Sequence, residues 1–480
     1  MWENNSTAFH LLSPRNGINQ SDIHTTVNGW VATGRDRGSI DILWSSLLTI
    51  VLCVWVSTHP NALSPKDKWY HGFYDKFNLA MIGLLGPDFL FGLAVGQLSS
   101  ARRSVKQFRK DQHLCGDKKW TYTQAFFVDM GGIFLKSPDF PDGFPIDAEQ
   151  LHYLVKHGFV DFPDMEAMDI SERNTVDTLS RLITLWQALW FFITEMDRIK
   201  NGLPITPLEL TALSFTFAMV ATFICWYPKP AISYPRYIET KTHPRLQTRW
   251  HRTPLDDITP RIFRIDAYWC FYKRLGDMMH LHPYGRPVKQ ELWDRFPSDI
   301  WRPMELAYYP LGGVFIVGFS ASFMIGWNFH FPSPAEQLIW RLAASYHMFF
   351  SLYGAFHWLY EDLKWHRAQK RMRNEAAVRS IVDAEAQRQQ GEQKESWGQT
   401  RGLVNRLVTL LRSQVNNSAG KDPSMAVPLL VIIPNVLISA LYAWCRVYFY
   451  VEDFVSLRQQ PKGIYLTGNR FLPFIGEMWK

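Results

Sequence analysis

Seven apolar segments of membrane-spanning length constrain this fold more than any other feature of the sequence. A helix needs about 20 mostly apolar residues to cross about 30 Å of hydrocarbon. The segments lie at 39–57, 79–99, 178–196, 209–227, 311–329, 338–358 and 427–450. They predict an all-α polytopic membrane bundle of about seven transmembrane helices, with irregular and helical cytosolic connections. The segment at 178–196 is the weakest, because Arg181 and Glu195 lie near its ends.

Composition supports a membrane protein that also has sizeable aqueous parts. Aromatic residues make up 15% of the chain, which suits helices that Trp and Tyr anchor at the headgroup level. The five cysteines lie far apart without metal-ligand spacing, so no disulfide framework is predicted. Topology explains the net charge of +7 better than nucleic-acid binding does. Membrane lipid is therefore the predicted partner, and no nucleic-acid partner is predicted.

Lys and Arg alternate between the two sides of the predicted bundle. The segments 100–177, 228–310 and 359–426 carry 10, 14 and 12 basic residues, whereas 58–78, 197–208 and 330–337 carry 3, 2 and 0. Cytosolic flanks retain positive charge during insertion. The pattern predicts three long cytosolic connections, a cytosolic N-terminus, and a tail after residue 450 on the other side.

The N-terminal sequence is in tension with that orientation. Glycosylation sequons begin at Asn4, Asn5 and Asn19. Sequons are used on the lumenal side, so a glycan there would contradict a cytosolic N-terminus. The predicted location is the endoplasmic reticulum or another endomembrane.

The predicted organisation follows from the apolar segments and the connections between them. A polar segment at 1–38 precedes membrane helices one to four at 39–227, which contain the cytosolic insertion 100–177; then come the connection 228–310, helices five and six at 311–358, the charged connection 359–426, helix seven at 427–450 and the tail 451–480. A shorter run at 121–135 contains Asp129, and it predicts an interfacial or re-entrant segment rather than an eighth span.

The second segment, "LAMIGLLGPDFLFGLAVGQL" at 79–98, carries Pro87 and Asp88 at its middle. Asp88 shares a helical face with Gly92 and Gly96, a small-residue pair that allows another helix to approach closely. Asp88 is therefore predicted to point into the bundle. Pro87 removes one backbone hydrogen bond, which a membrane tolerates where neighbouring groups satisfy the freed carbonyl.

Four polar side chains fall at a similar depth in four segments: Asp88, Gln187, His347 and Asn435. Our hypothesis is that they meet near the midplane. Asp88 would pair with His347 in a charge-assisted hydrogen bond, and Gln187 and Asn435 would complete the network. The alternative is that such residues only fasten helices together, at about 0.6 kcal/mol for each pair. Asp88 and His347 are the catalytic candidates if the site is functional.

The end of the sixth segment, "FHWLYEDLKWH", holds a second candidate site. His357 and Glu361 lie four residues apart on one helical face, where they could form an acid/base pair or hold a metal. An ordinary helix end surrounded by interfacial aromatic residues explains the same pattern. The sequence contains no Walker loop, dinucleotide fingerprint, GxSxG or HExxH motif, so it identifies no cofactor.

Several segments together resemble a large family of uncharacterised multipass membrane proteins in filamentous fungi. The likeness is carried by "RDRGSIDILWSSLLTIVLCVW", "LLGPDFLFGLAVGQLSSARRSV", "WTYTQAFFVDMGG", "NGLPITPLELTALSF", "CWYPKP" and "CRVYFYVEDFVSLRQQPKGIY". In that family the acid after the proline is usually Glu, and the shorter Asp88 fits a packing role better than a fixed catalytic reach. Some members lie beside secondary-metabolite genes, so the resemblance implies small-molecule biosynthesis.

Three classes of function fit these features. The first is a membrane-embedded enzyme on a lipophilic substrate, for example a terpene cyclase in which Asp88 donates a proton and aromatic residues stabilise carbocations. The second is a transporter or channel with a midplane polar site. The third is a membrane scaffold or sensor whose basic cytosolic regions bind partners. An aromatic pocket would indicate the enzyme, and a water-accessible route through Asp88 and His347 would indicate transport.

Overall fold

The computed structural model describes residues 25–34, 36–137, 140–163, 175–230, 235–240, 295–299, 302, 304–386 and 429–466. This part of the chain is mostly helical. Its ten helices are α1 (Ser39–Ser57), α2 (Trp69–Leu85), α3 (Pro87–Lys110), α4 (Tyr122–Asp129), α5 (Ala148–Lys156), α6 (Thr175–Lys200), α7 (Pro207–Trp226), α8 (Tyr309–Ser322), α9 (Pro334–Ala386) and α10 (Leu429–Val455). Its five strands are β1 (Thr26–Asn28), β2 (Ile133–Ser137), β3 (Phe140–Pro145), β4 (Arg236–Glu239) and β5 (Gln459–Pro461).

Three helical segments in the described residues are long and apolar enough to cross a membrane: 39–57, 207–226 and 306–328. The pair α2 and α3 would add a fourth if it were one bent span, and its two axes meet at 119°. A count of seven spans is therefore not confirmed. The run at 79–99 is not one continuous helix, because the chain breaks at Gly86 in the middle of that run.

Helices α1 and α7 pack side by side and run in the same direction, because Arg37 before α1 pairs with Glu209 at the start of α7 and Lys229 after α7 donates to the carbonyl of His59 after α1. Local sequence fixes where α7 begins, because Thr206 and Glu209 cap each other's backbone N–H groups and Pro207 takes the first helical position. Asp41 stabilises the start of α1 by accepting a hydrogen bond from the Gly38 N–H at 2.8 Å.

The chain segments before α1 and after α10 meet at one end of the bundle, which we call the strand end (residues 25–38 and 456–466). Strands β1 and β5 pair there in antiparallel register, with Val27 opposite Gln460. Arg37 reaches Glu209 at the start of α7, at 2.6 Å. Arg198, near the end of α6, donates to the carbonyl of Ile464 at 2.9 Å. The prediction that the N-terminus and the tail lie on opposite sides is therefore wrong.

The opposite end, which we call the insertion end (residues 57–68, 97–137, 140–163, 227–230, 235–240, 295–299, 302, 304 and 305), carries a small folded cap. Its sheet has the order β3–β2–β4. The apolar run at 121–135 supplies α4 and β2 to this cap, because Gly131 ends the helix with a φ of +83° and the apolar residues after Gly132 continue as a buried strand. The connections are thus not purely helical and irregular.

Helices α2 and α3 form a hairpin whose two arms both meet the insertion end. The chain that leads into α2 lies at this end, since the Ala62 N–H donates to the Met130 carbonyl at 2.9 Å. Ten residues into α3, Gln97 accepts from the indole N–H of Trp226 at the end of α7. The tip of the hairpin instead contacts Arg446 in the middle of the bundle. The hairpin therefore enters the bundle and returns to the same end.

The remaining long helices connect the two ends. The segment that leads into α8 starts beside α3, where the N–H of Glu305 donates to Ser99 Oγ at 3.1 Å. Helix α9 starts at the strand end, where its residue Glu336 pairs with Arg458. As the charge pattern predicts, α9 continues beyond the apolar segment and extends to Ala386.

Candidate functional site

The break between α2 and α3 frees backbone carbonyls in the middle of the bundle. Pro87 has no N–H, and the residue before a proline avoids the helical conformation; Gly86 is extended, with a φ of −155°. Two side chains of α10 satisfy the carbonyls that α2 leaves open. Arg446 Nε donates to the Leu85 carbonyl at 3.0 Å, and the Tyr450 hydroxyl donates to the carbonyl of Leu84.

Asp88 lies in the first turn of α3, where the positive end of the helix dipole stabilises a carboxylate. This position explains why the sequence places Pro87 and Asp88 together: the proline occupies the first helical position and the acid follows it. Asp88 is buried, and the hydroxyl of Tyr442 donates to its Oδ1 at 3.1 Å. The sequence predicted both residues in the middle of one helix; they instead begin a new one.

His347 on α9 is fully buried in an enclosure of aromatic rings. Its ring centroid lies 5.1 Å from those of Phe323 and Tyr442, 5.7 Å from that of Phe319 and 6.0 Å from that of Phe449. Within the described residues, neither ring nitrogen has a hydrogen-bond partner. The predicted hydrogen bond between Asp88 and His347 does not form. Tyr442 instead links them, because it bonds to Asp88 and stacks on His347.

Arg446 is the functional candidate that sequence reasoning missed. The guanidinium is fully buried and lies 5.1 to 5.7 Å from the centroids of four rings: Phe215, Phe319, Phe323 and Tyr450. Its Nη1 has no hydrogen-bond partner among the described residues. The signal in the sequence is the spacing of Tyr442, Arg446 and Tyr450, which places all three on one face of α10. We call Asp88, His347, Tyr442 and Arg446 the break site.

The other predicted site residues lie outside this group. Gln187 is buried on α6, which packs against α1 and α7 rather than against α9. The side chain of Asn435 lies outside the described part of the structure. His357 stacks on Tyr353 one turn earlier, and the side chain of Glu361 is also not described. Among the described residues, no group of three His, Cys, Asp or Glu side chains could hold a metal.

A second buried polar cluster, which sequence reasoning also missed, lies at the insertion end around Lys229. This lysine is fully buried, and its Nζ donates to the His59 carbonyl at 2.7 Å and to Asn61 Oδ1 and Gln97 Oε1 at 3.0 Å. Three acceptors match the three hydrogens of an ammonium group. Burial, with further repulsion from Arg302 and Arg181, lowers the pKa of Lys229 to about 7. Lys229 ties the end of α7 to α3 and to the α1–α2 connection.

Arg302 lies near this cluster. It belongs to a chain segment that crosses α3 beside Gly96 and Ser99, which we call the strap (residues 302, 304 and 305). Its Nη1 lies 3.5 Å from Asp147 Oδ2 and 3.8 Å from Asp129 Oδ1, and its Nη2 donates to the Asp129 carbonyl at 3.1 Å. The strap lies so close to α3 that a Cβ at Gly96 would be 2.4 Å from the carbonyl oxygen of Arg302. Gly96 therefore admits a loop, and not the helix that the small-residue pair predicts.

Comparison with known proteins identifies a family for the chain but no reaction. A family model described as a family of unknown function (DUF8562) matches residues 6–267. The match includes Asp88 and Lys229 and ends before α8, so the other three residues of the break site lie beyond it. No curated protein and no solved structure matches the chain.

Proposed function

This chain belongs to the family of unknown function (DUF8562), and we propose that it is an integral membrane enzyme that transfers protons on a lipophilic substrate at the break site. The observation that carries the proposal is His347. A buried polar group without a hydrogen-bond partner costs about 1 to 3 kcal/mol, which a bound substrate group or water would recover. The enclosing aromatic rings suit an apolar ligand.

The placement in a membrane is supported by the helices and by what they expose. The apolar segments 39–57, 207–226 and 306–328 are compatible with membrane insertion. Helices α6, α9 and α10 expose large apolar side chains while burying Arg, His and Glu: among those exposed are Leu182, Trp186, Leu342, Phe349, Leu437 and Trp444. Exposed apolar surfaces of this extent are typical of contact with lipid. We place six spans in the bilayer (α1, α6, α7, α8, α9 and α10) and treat α2–α3 as a re-entrant hairpin.

Charge then orients the bundle. The connections whose described residues lie toward the insertion end are 58–78, 100–177, 228–310 and 359–426, with 3, 10, 14 and 12 basic residues. Those at the strand end are 1–38, 197–208, 330–337 and 451–480, with 3, 2, 0 and 4. Because basic residues mark the cytosolic side, the insertion end faces the cytosol and the strand end faces the lumen or exterior.

The chemistry follows from the groups at the break site. Neutral His347 takes a proton from a carbon next to an oxygen function of the substrate, and the electron pair of that C–H bond moves toward the oxygen. The N–H groups at Arg446 Nη1, which have no partner among the described residues, stabilise the developing negative charge. Imidazolium His347 then returns the proton at another carbon. Asp88 fixes the Tyr442 ring beside His347, so Asp88 is a positioning residue. Substrate and product are isomers, and the proton balance needs no cofactor.

This scheme keeps the predicted membrane-embedded enzyme on a lipophilic substrate, but it replaces the terpene cyclisation by an isomerisation and assigns the proton transfer to His347 rather than to Asp88. In this geometry the Asp88 carboxyl accepts the Tyr442 hydrogen at 3.1 Å and makes no hydrogen bond to His347, so it is placed to hold the Tyr442 ring rather than to exchange a proton with His347. A role in fungal secondary-metabolite biosynthesis at the endoplasmic reticulum remains part of the proposal and rests on the resemblance alone.

Gene deletion with metabolite profiling tests the enzyme proposal. We expect the deletion strain to accumulate a precursor with the mass of the missing product, and membranes containing the protein to convert one into the other. His347→Ala should reduce that conversion at least 100-fold, and His357→Ala on the same helix should leave it unchanged. Equal activities of the two variants, or a precursor of different mass, would exclude proton transfer by His347.

A transporter is the second candidate, and the helix break favours it. Discontinuous helices with polar groups at mid-depth form the binding sites of many secondary transporters. Transport predicts that deletion changes where a compound accumulates without changing its structure. Uptake into proteoliposomes that depends on His347, together with no chemical conversion, would select the transporter over the enzyme.

A further inference from the structure

The chain contains four N-glycosylation sequons, and the described elements that follow them begin at opposite ends of the bundle. Three begin at Asn4, Asn5 and Asn19, before β1, and the fourth begins at Asn416, before α10. Each of these asparagines has a Ser or Thr two positions later and no proline between, as N-glycosylation requires. Which of them are modified depends on which end of the bundle faces the lumen.

The described residues that follow the N-terminal sequons are fixed at the strand end. The N–H of Lys462 donates to the carbonyl of Thr25 at 2.8 Å, and β1 pairs with β5 immediately afterwards. Asn19 is six residues before Thr25. Six residues span at most about 21 Å of extended chain, which is less than the roughly 30 Å of hydrocarbon. Asn19 therefore lies on the same side of the bilayer as the strand end.

The sequons at Asn4 and Asn5 follow the same argument. Residues 1–24 contain no apolar run that could cross a bilayer, so the chain before Asn19 stays on that side. Asn416 differs, because it precedes α10, and α10 begins at the insertion end and ends beside β5.

We propose that Asn19 and one of the overlapping pair Asn4 and Asn5 carry N-linked glycans, and that Asn416 does not. In this modification the asparagine amide nitrogen displaces the diphosphate of a lipid-linked oligosaccharide. A C–N glycosidic bond forms, the sugar–phosphate bond breaks, and the amide loses one proton as the lipid diphosphate leaves. The proposal rests on the orientation given above and does not depend on the chemistry at the break site.

The test is to express the full chain in a eukaryotic cell and to digest it with an endoglycosidase. We expect the wild-type band to shift by the mass of two glycans, Asn19→Gln to lose one, and a triple variant at the N-terminal sequons to lose both. Asn416→Gln is the matched control and should shift like the wild type. Absence of any shift in the wild type, or loss of a glycan in Asn416→Gln, would overturn the proposal.

A labelling experiment separates failure of the glycosylation proposal from failure of the orientation. Gly34→Cys places a thiol at an exposed position of the strand end, and Lys119→Cys places one at an exposed position of the insertion end. In sealed microsomes an impermeant maleimide should label Lys119→Cys at once and Gly34→Cys only after detergent. That pattern without glycans would refute the glycosylation proposal alone, whereas the reverse pattern would refute the orientation as well.

Discussion

At the scale of single residues, the sequence predicts that a carbonyl near Pro87 needs a hydrogen-bond donor, but it does not identify the donor. Pro87 frees a carbonyl in an apolar environment, so a polar partner is needed. That partner is Arg446, whose Nε donates to the Leu85 carbonyl from 361 positions further along the chain. Asp88 and His347 were both predicted to be buried near the centre, but the side chain that connects them is Tyr442. Neither long-range pairing can be read from local spacing.

Replacing Arg446 should destabilise the protein far more than replacing an exposed arginine on the segment that follows the same helix. Arg446→Met would leave the Leu85 carbonyl buried without a donor, which costs about 1 to 3 kcal/mol. Arg458→Met would remove a largely exposed pair with Glu336, which contributes about 0 to 1 kcal/mol. Thermal unfolding in detergent should show a clearly lower midpoint for Arg446→Met. Equal midpoints would show that Arg446 does not hold the break.

Lys229 should make stability depend on pH above neutrality. Its folded-state pKa of about 7 lies below its ordinary value of 10.5, so between these pH values the unfolded state binds more protons. The free energy of unfolding should therefore rise with pH from about 7 to about 10, by at most about 1.4 kcal/mol for each pH unit. Lys229→Met should lack this rise. Unfolding midpoints of both proteins at several pH values measure it, and curves that stay parallel would contradict the buried charge.

At the scale of elements, hydropathy predicts the helices well and the break poorly. The apolar stretch at 39–57 forms a helix with the predicted bounds, because nothing in it interrupts the hydrogen-bond ladder. The run at 79–99 is also apolar enough to suggest a span, and a proline in such a run can either kink a helix or begin one. Here the proline begins a new helix, because Gly86 before it is extended and the two helix axes meet at 119°. The small-residue pair predicted close packing at Gly96 but not its partner, the Arg302 strap.

Close packing of the strap on α3 gives a prediction with an internal control. Gly96→Ala would place a Cβ 2.4 Å from the Arg302 carbonyl oxygen, so the strap must move, at a cost of about 1 to 3 kcal/mol. Gly313→Ala on α8 meets no atom within 4 Å and should be neutral or slightly stabilising. Unfolding midpoints compare the two variants. A Gly96→Ala midpoint equal to that of Gly313→Ala would show that the strap does not contact α3.

At the scale of the whole molecule, the α2–α3 hairpin determines on which side of the membrane the account places the N-terminus. Counting 79–99 as a span gives an odd number of crossings and puts the two ends of the chain on opposite sides. A re-entrant hairpin gives an even number and agrees with the pairing of β1 with β5. In the proposed orientation the basic connections also lie on the cytosolic side, as the charge pattern predicts. The sequons at Asn4, Asn5 and Asn19 are the sequence feature that disagreed with a span at 79–99.

Protease protection of terminal tags tests the central claim, that α2 and α3 enter and leave on one side, most directly. Epitope tags at both termini and one inserted after Gly391 are compared in sealed microsomes treated with protease. The re-entrant hairpin predicts that both terminal tags survive until detergent is added and that the internal tag is lost at once. Loss of the N-terminal tag while the C-terminal tag survives would mean that residues 79–99 cross the membrane, contrary to this account.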